Sequence, residues 1–289
     1  MSDRTQRATI AKETVEILQQ GFYQIQPSGE IINIREAIQA AKTDSIHYSS
    51  EMFDEVFAQR DILRTTDNLT DRTSFEVTNE TTLQAASRLV SKQGIEKVLC
   101  LNFASAKNPG GGFLNGSQAQ EESLARSTGL YPCIAKMTAM YEKNRNFGSS
   151  LYTDDLIYSP GVPVIRNDRG ELLNQPFLVS ILTVPAVNSG AVRQKGKKSE
   201  IASIENIMLD RTEKLLSVAA IHGYRVLILG AWGCGVFKNN PEDVARYFYR
   251  HLVENPQLNG FFERVVFAVL DNSKNQGTIA PFQAIFDAS

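Results

Sequence analysis

The chain is short of the residues that build disulfide and metal sites. Its three cysteines, Cys100, Cys133 and Cys234, form no C-x-x-C pair, and an odd number cannot close into a full disulfide set. Three histidines, His47, His222 and His251, stand singly along the chain. That leaves almost no raw material for a zinc site; each His reads as a helix or loop residue, and no metal is expected. An excess of one charge is missing as well. With 30 Lys+Arg against 32 Asp+Glu the net charge is −2, which argues against a broad basic face for duplex nucleic acid. No run approaches the ~18 continuous apolar residues of a membrane span. The opening MSDRTQRATIAKETVE has no apolar stretch of the kind a secretory signal needs. Together these absences predict a cytoplasmic protein with reduced cysteines and no membrane partner.

What is present is globular: 289 residues, 42% of them hydrophobic, enough for one large domain or two small ones. The first seventy residues read as polar helix, with Ile10, Val15, Ile17 and Leu18 at helical spacing and IREAIQAAK (34–42) repeating the pattern. In DRTSFEVTNETT (71–82) Phe75 and Val77 alternate with polar neighbours, as in a half-buried strand. TTLQAASRLVSKQG (81–94) returns to helix. Strands then alternate with helices: KVLCLNFA (97–104), LIYSPGVPVIRND (156–168), PFLVSILTVPA (176–186), RVLILG (225–230) and ERVVFAVLD (263–271) are strands. Ile204, Met208, Leu215 and Ala219 mark the inner face of a helix over 201–223, and Asn240-Pro241-Glu242 starts another. QKGKKSE (194–200) reads as a solvated basic loop. Runs this apolar imply a sheet covered on both sides, hence an α/β, three-layer α/β/α fold. Ligands of such folds gather beyond the carboxyl ends of the strands.

Two loops at those ends are glycine-rich. Asn108-Pro109-Gly110-Gly111-Gly112 follows the strand ending near Phe103, and Gly230-Ala231-Trp232-Gly233-Cys234-Gly235-Val236-Phe237 follows RVLILG. A flexible connector would also use three glycines, but so would a backbone that approaches a ligand closely. Neither of the two commonest nucleotide motifs fits. The dinucleotide G-x-G-x-x-G meets Lys238 at its third glycine, and a P-loop fails because Gly190 and Gly196 are separated by five residues and Lys197 is followed by Lys198. Backbone amides alone can still form a nest for a pyrophosphate, with a sugar or base against Phe237 or Trp232. For Trp232 a place in the core is an equal reading.

Gln120-Glu121-Glu122 lies seven residues beyond the triple glycine, at the start of a helix. Acids are common in a first helical turn because the macrodipole favours them. Consecutive helical residues diverge by about 100°, so this pair cannot bracket a scissile bond as two separated glycosidase carboxyls do. A glycosidase built on it would use one Glu as acid and then base, with the other positioning the sugar.

Here the pattern becomes specific. GGG (110–112), FLNGSQA and QEE (120–122), with the flanking NPGGG and ESLARSTGLY and the later YSPGVPVIRND and GAWGCGVFKN, resemble the shorter microbial-type branch of the poly(ADP-ribose) glycohydrolases. The similarity runs from about residue 8 to the last strand, with no departure in these motifs. It implies a macrodomain with a mixed central sheet over residues 71–289, preceded by a helical extension over residues 1–70 packed on the core. It implies further that Glu122 is the catalytic acid/base and that Glu121 holds the adjoining ribose. Asn108, Gly110, Gly111 and Gly112 would line the substrate's distal ribose, Gln120 would also bind substrate, and Gly233, Cys234, Gly235, Val236 and Phe237 would wrap the pyrophosphate, with Phe237 against the distal ribose. The implied reaction is hydrolysis of ribose–ribose O-glycosidic bonds from the chain terminus, releasing ADP-ribose without metal or organic cofactor. Its partners would be poly(ADP-ribose), ADP-ribose and ADP-ribosylated proteins, met by a monomer. Two alternatives stay open at this point: a reader that binds ADP-ribose without cleaving it, and a hydrolase of mono-ADP-ribosylated targets.

Overall fold

The computed structural model describes residues 3–67 and 69–287. A seven-stranded mixed sheet in the order β3-β6-β7-β5-β8-β9-β4 forms its centre. The strands are β3 (Ile46–Tyr48), β4 (Ser74–Thr78), β5 (Val98–Phe103), β6 (Leu156–Arg166), β7 (Leu172–Val184), β8 (Val226–Leu229) and β9 (Arg264–Ala268), and β1 (Phe22–Gln24) and β2 (Ile31–Asn33) make a separate hairpin. The five strands from β7 to β4 run parallel, while β6 is antiparallel to β7 and β3 antiparallel to β6.

Alternation along β5 divides the core in two. Leu99 and Leu101 join one cluster, with Leu182, Leu227, Val265 and Phe267 from neighbouring strands. That face is covered by the helices α3 (Phe53–Thr66), α9 (Lys198–Ile221), α10 (Pro241–Tyr249) and α11 (Ala280–Phe286). Val98 and Cys100 point to the other cluster. There α2 (Arg35–Asp44), α4 (Thr82–Ser87), α5 (Gln120–Ser127), α6 (Leu130–Ala135) and α7 (Thr138–Asn146) supply Ala41, Leu83, Leu124, Ile134 and Met140. The three-layer sandwich expected from the apolar strands is present. No helix of the described residues is long and apolar enough to cross a membrane.

The first seventy residues are less uniformly helical than their pattern suggests. β1, β2 and β3 lie among them, each only three residues long and too short to show a period. β3 extends the central sheet beyond β6, and α3 packs on the α9 face, so both belong to the sandwich. His47 consequently sits in a strand, not in a helix or loop. QKGKKSE is not a loop either: it spans the end of α8 (Ser189–Lys195), a break at Gly196 and the start of α9, its lysines exposed.

The N-terminal helix α1 (Asp3–Gln20) lies along the connection between the glycine triplet and α5. Arg4 Nε donates to Asn115 O at 3.0 Å and Arg7 Nε to Gly116 O at 2.9 Å, and Ala11 packs with Phe113 and Ala125. From the other side Arg126 Nη1 donates to Ser117 O at 2.6 Å. The connection is thereby held along its length.

The β3 edge is anchored by Asp155, whose side chain is wholly buried. Its carboxylate is 2.9 Å from His47 Nε2, and accepts bonds from the Ser50 amide (3.2 Å), Ser50 Oγ (2.7 Å) and Lys143 Nζ (3.1 Å). Burial alone would raise its pKa, but bonds from His47, Ser50 and Lys143 outweigh it and hold the carboxyl well below the usual range. A depressed carboxyl stabilises the fold above about pH 4, and that contribution is lost as the pH falls further. Asp155→Ala should therefore cost roughly 3 kcal/mol in urea unfolding at neutral pH, shrinking in acid. A penalty independent of pH would show that the ionised form is not what matters.

Candidate active site

β5 and β8 pair side by side only from Val98 to Cys100 on β5. Beyond Cys100 they separate, which leaves the Leu101 carbonyl and the Phe103 amide facing an opened crevice. The Gln120 side chain fills it: Oε1 accepts from the Phe103 N–H at 2.9 Å, and Nε2 donates to Leu101 O at 2.8 Å. This is the pattern that the N–H and C=O of one residue on a parallel neighbour would make. Nε2 also donates to Thr82 Oγ1 at 3.0 Å. With its amide engaged by protein on both ends, Gln120 is a brace for the start of α5. Its expected part as a substrate contact does not match this geometry.

The brace sets the two carboxylates that follow. Glu121 turns inward and is 3% exposed. Its Oε2 accepts from the Ser105 amide at 2.7 Å, and Oε1 lies 3.4 Å from Asn102 Nδ2, which also donates to Thr183 Oγ1 at 3.2 Å. Burial pushes its carboxyl up to about 8 and the neighbouring Glu122 adds to this, against hydrogen bonds that include the Ser105 amide. The half-buried Glu122 accepts from the Gly112 N–H at 3.0 Å. Although the two side chains leave the helix in different directions, both reach Gly111. That residue has φ +58°, and a Cβ built on it would overlap the Glu122 carboxylate and come 3.2 Å from Glu121 Oε2. Only glycine fits.

The loop after β8 rises from the next strand. Among the described residues nothing accepts a hydrogen bond from the amides of Gly233, Gly235, Val236 or Phe237, so this stretch can serve an anion with backbone N–H groups. Gly233 (φ +73°) packs against Ala186 and Asn239, and Val236 is 79% exposed. Cys234 is half-buried, its Sγ 3.8 Å from Trp232 O, and burial pushes the thiol up to about 12. A thiol so held stays protonated at neutral pH and is no nucleophile. Trp232 belongs to the core: it is fully buried and its Nε1 donates to Val184 O at 2.9 Å, so it is not available to stack on a ligand. The half-buried Phe237 ring lies 6.0 Å from the ring of Tyr152. Asn108 is exposed beside the triple glycine, its carbonyl accepting from the Gly111 amide.

The arrangement has close counterparts. The model for the microbial-type PARG catalytic domain matches residues 11–167. The structure of poly(ADP-ribose) glycohydrolase (PARG) from Thermomonospora curvata is similar over 98% of this chain and 100% of that one, with 42% identity and a TM-score of 0.89. The chain belongs to the microbial-type PARG family. The same organism's enzyme bound to the inhibitor ADP-HPD gives 42% identity and a TM-score of 0.87, over 97% of this chain and 99% of that one. The enzyme from Deinococcus radiodurans, in complex with ADP-ribose, gives 42% and 0.79, over 87% of this chain and 97% of that one. No curated protein sequence matches the chain.

Within this PARG fold the residues singled out from the sequence fall into two neighbouring loops and one helix start. Sequence reasoning missed Asn102, Ser105, Thr183 and Tyr152. Asn102 left a trace, a polar residue in the otherwise apolar run KVLCLNFA. Tyr152 left none, because its meeting with Phe237 is set by tertiary structure.

Two outcomes follow for the site. Gly111→Ala should lower glycohydrolase turnover at least about ten-fold while costing roughly 1–2 kcal/mol of stability; unchanged turnover would show that the close approach of the triplet is dispensable. A carboxyl whose folded pKa is raised destabilises the fold as pH climbs from about 4.3, its unfolded value, toward 8. Wild-type stability should therefore fall across that window by on the order of a few kcal/mol, and Glu121→Gln should flatten the fall. Parallel curves for the two proteins would remove Glu121 as the cause.

Proposed function

We propose that this PARG-family chain hydrolyses the ribose–ribose O-glycosidic bonds of poly(ADP-ribose) from the chain terminus, releasing ADP-ribose. The observation that carries the reading is the convergence of Glu121 and Glu122 on Gly111, beside the uncommitted amides of Gly233, Gly235, Val236 and Phe237. The two carboxylates share one helix turn, so they act on one face of one sugar, and the acid and base steps fall to a single residue. Glu122, protonated, gives its proton to the oxygen of the leaving ribose as the glycosidic bond breaks. The positive charge that develops on the distal ribose is balanced by the substrate's own pyrophosphate, held against the β8 loop by backbone amides. Glu122 as carboxylate then takes a proton from the water that attacks the anomeric carbon.

Glu121 serves differently. A buried carboxyl with its pKa near 8 is mostly neutral at pH 7. It can thus donate a hydrogen bond to a ribose hydroxyl without bringing a negative charge of its own to the site. Asn108 and the glycine triplet line the distal ribose in this reading, and Phe237 rests against it. The partners that follow are poly(ADP-ribose), free ADP-ribose and ADP-ribosylated proteins, met by a cytoplasmic monomer.

The test pairs product analysis with one substitution. On purified poly(ADP-ribose) the wild type should yield free ADP-ribose; short oligomers as the first product would overturn the terminal mode of attack. Glu122→Gln should bind ADP-ribose within a few fold of wild type while turnover drops roughly 10²–10⁴-fold. Near-wild-type cleavage by that variant would exclude Glu122 as the acid/base.

A further inference from the structure

Three non-glycine residues occupy the left-handed region among the described residues: Tyr152 (φ +60°), Lys238 (φ +55°) and Gln276 (φ +47°). Two of them border Phe237, one by sequence and one by ring contact. A bulky residue at positive φ is strained and persists only where its surroundings over-determine it.

The surroundings of Tyr152 do so. Arg211, buried without exposure in α9, sends Nη2 to Leu151 O (3.1 Å) and Tyr152 O (3.3 Å) and Nη1 to Pro185 O (2.9 Å), and pairs with Asp154 at 2.9 Å. The Leu151 amide donates to Ser149 Oγ at 3.2 Å, the Thr153 amide to Asn144 Oδ1 at 2.9 Å, and the Asn188 amide to Ser150 O at 3.0 Å. Every residue from Ser150 to Asp154 is thus fastened. The product of this bracing is a Tyr152 side chain 8% exposed, its ring tilted 45° against Phe237, within the usual range of aromatic pairs. Phe237 is fixed from the other side too. Its carbonyl accepts from the Gly190 amide at 2.9 Å, and Lys238 runs across Gly190 so closely that a Cβ there would meet Lys238 Cδ at 3.0 Å.

We propose that Tyr152 is a positioning residue for Phe237 and through it a determinant of affinity for the ADP-ribose unit. This rests on the assignment of ADP-ribose as ligand. The ring does the positioning, since the Tyr152 hydroxyl has no hydrogen-bond partner among the described residues. Without the ring, Phe237 can rotate away, and the amides of Gly235 and Val236 lose the aromatic wall beside them. The strain at Tyr152 is what it takes to bring an aromatic ring from the α7–β6 connection to the β8 loop.

Calorimetric titration of ADP-ribose into four variants and the wild type tests this. Glycine is at ease at φ +60°, so Tyr152→Gly keeps the backbone and removes only the ring. It should weaken binding about 5- to 20-fold, raise KM more than it lowers kcat, and leave the melting temperature within a few degrees. Tyr152→Phe should bind within about two-fold of wild type. In a Phe237→Ala background, adding Tyr152→Gly should cost less than about two-fold, because the residue through which Tyr152 acts is gone. An equal loss in both backgrounds overturns the proposal, as does unchanged binding by Tyr152→Gly. Absence of ADP-ribose binding by the wild type overturns the ligand assignment and the proposal with it, whereas the other two outcomes overturn the proposal alone.

Discussion

The Gln120 amide, set into the gap where β8 leaves β5, is the interaction on which the site depends. A sheet that opens between two parallel strands gains a crevice but leaves the inner strand with unpaired backbone groups, and such groups are costly when buried. Here the Leu101 carbonyl and Phe103 amide are satisfied by one side chain. That side chain is the first residue of α5. Closing the gap in the ladder and fixing the helix are therefore one event. The next two residues, Glu121 and Glu122, inherit their positions from it.

From this follows the division of labour between two adjacent carboxyls. The inner one must enter the crevice, where burial disfavours its charge; the outer one stays half-buried and meets the Gly112 amide. If both were ionised, their repulsion would fall in a region of low dielectric. Keeping one neutral removes that conflict without a cation, and no lysine or arginine side chain is bonded to either carboxylate among the described residues. Burial and the nearby Arg7 lower the pKa of Arg126, against the attraction of Glu122, and its own bonds go to Ser117 and Gln118. It serves the connection, not the acid.

How much of this could be seen in the residues alone varies with range. The long apolar strands, the α9 face and the cap at Asn240 have local causes and were legible: Asn240 Oδ1 accepts from the Glu242 amide, with Pro241 opening the helix. The site loops were legible because three glycines and two acids at fixed spacing are a local pattern. Three-residue strands were not, since two alternations cannot be told from chance. Nor was the task of Gln120, because a glutamine that mimics the N–H and C=O of a strand residue looks in sequence like any polar residue next to two acids. Trp232 shows the same limit from the other side. It stands among loop glycines, but its neighbours in space are Val184 and Phe248, and those contacts put it in the core.

The small net charge acquires a physical meaning in this setting. A phosphate-rich polymer is usually held by a basic surface whose grip depends on released counterions and weakens with salt. A pocket made of backbone amides has a fixed number of donors in a fixed shape, and it contributes no net charge. In the proposed reading it recognises one pyrophosphate at one place and gains little from the rest of the polyanion. Such a site favours a discrete unit over a continuous track, in keeping with the proposed attack at a chain end. It also needs exact placement more than charge. In that reading the requirement accounts for the strain at Tyr152 and Lys238, the buried Arg211 behind Tyr152 and the arginines of α1 along the glycine loop. Rigidity in the backbone takes the place of a field from the surface.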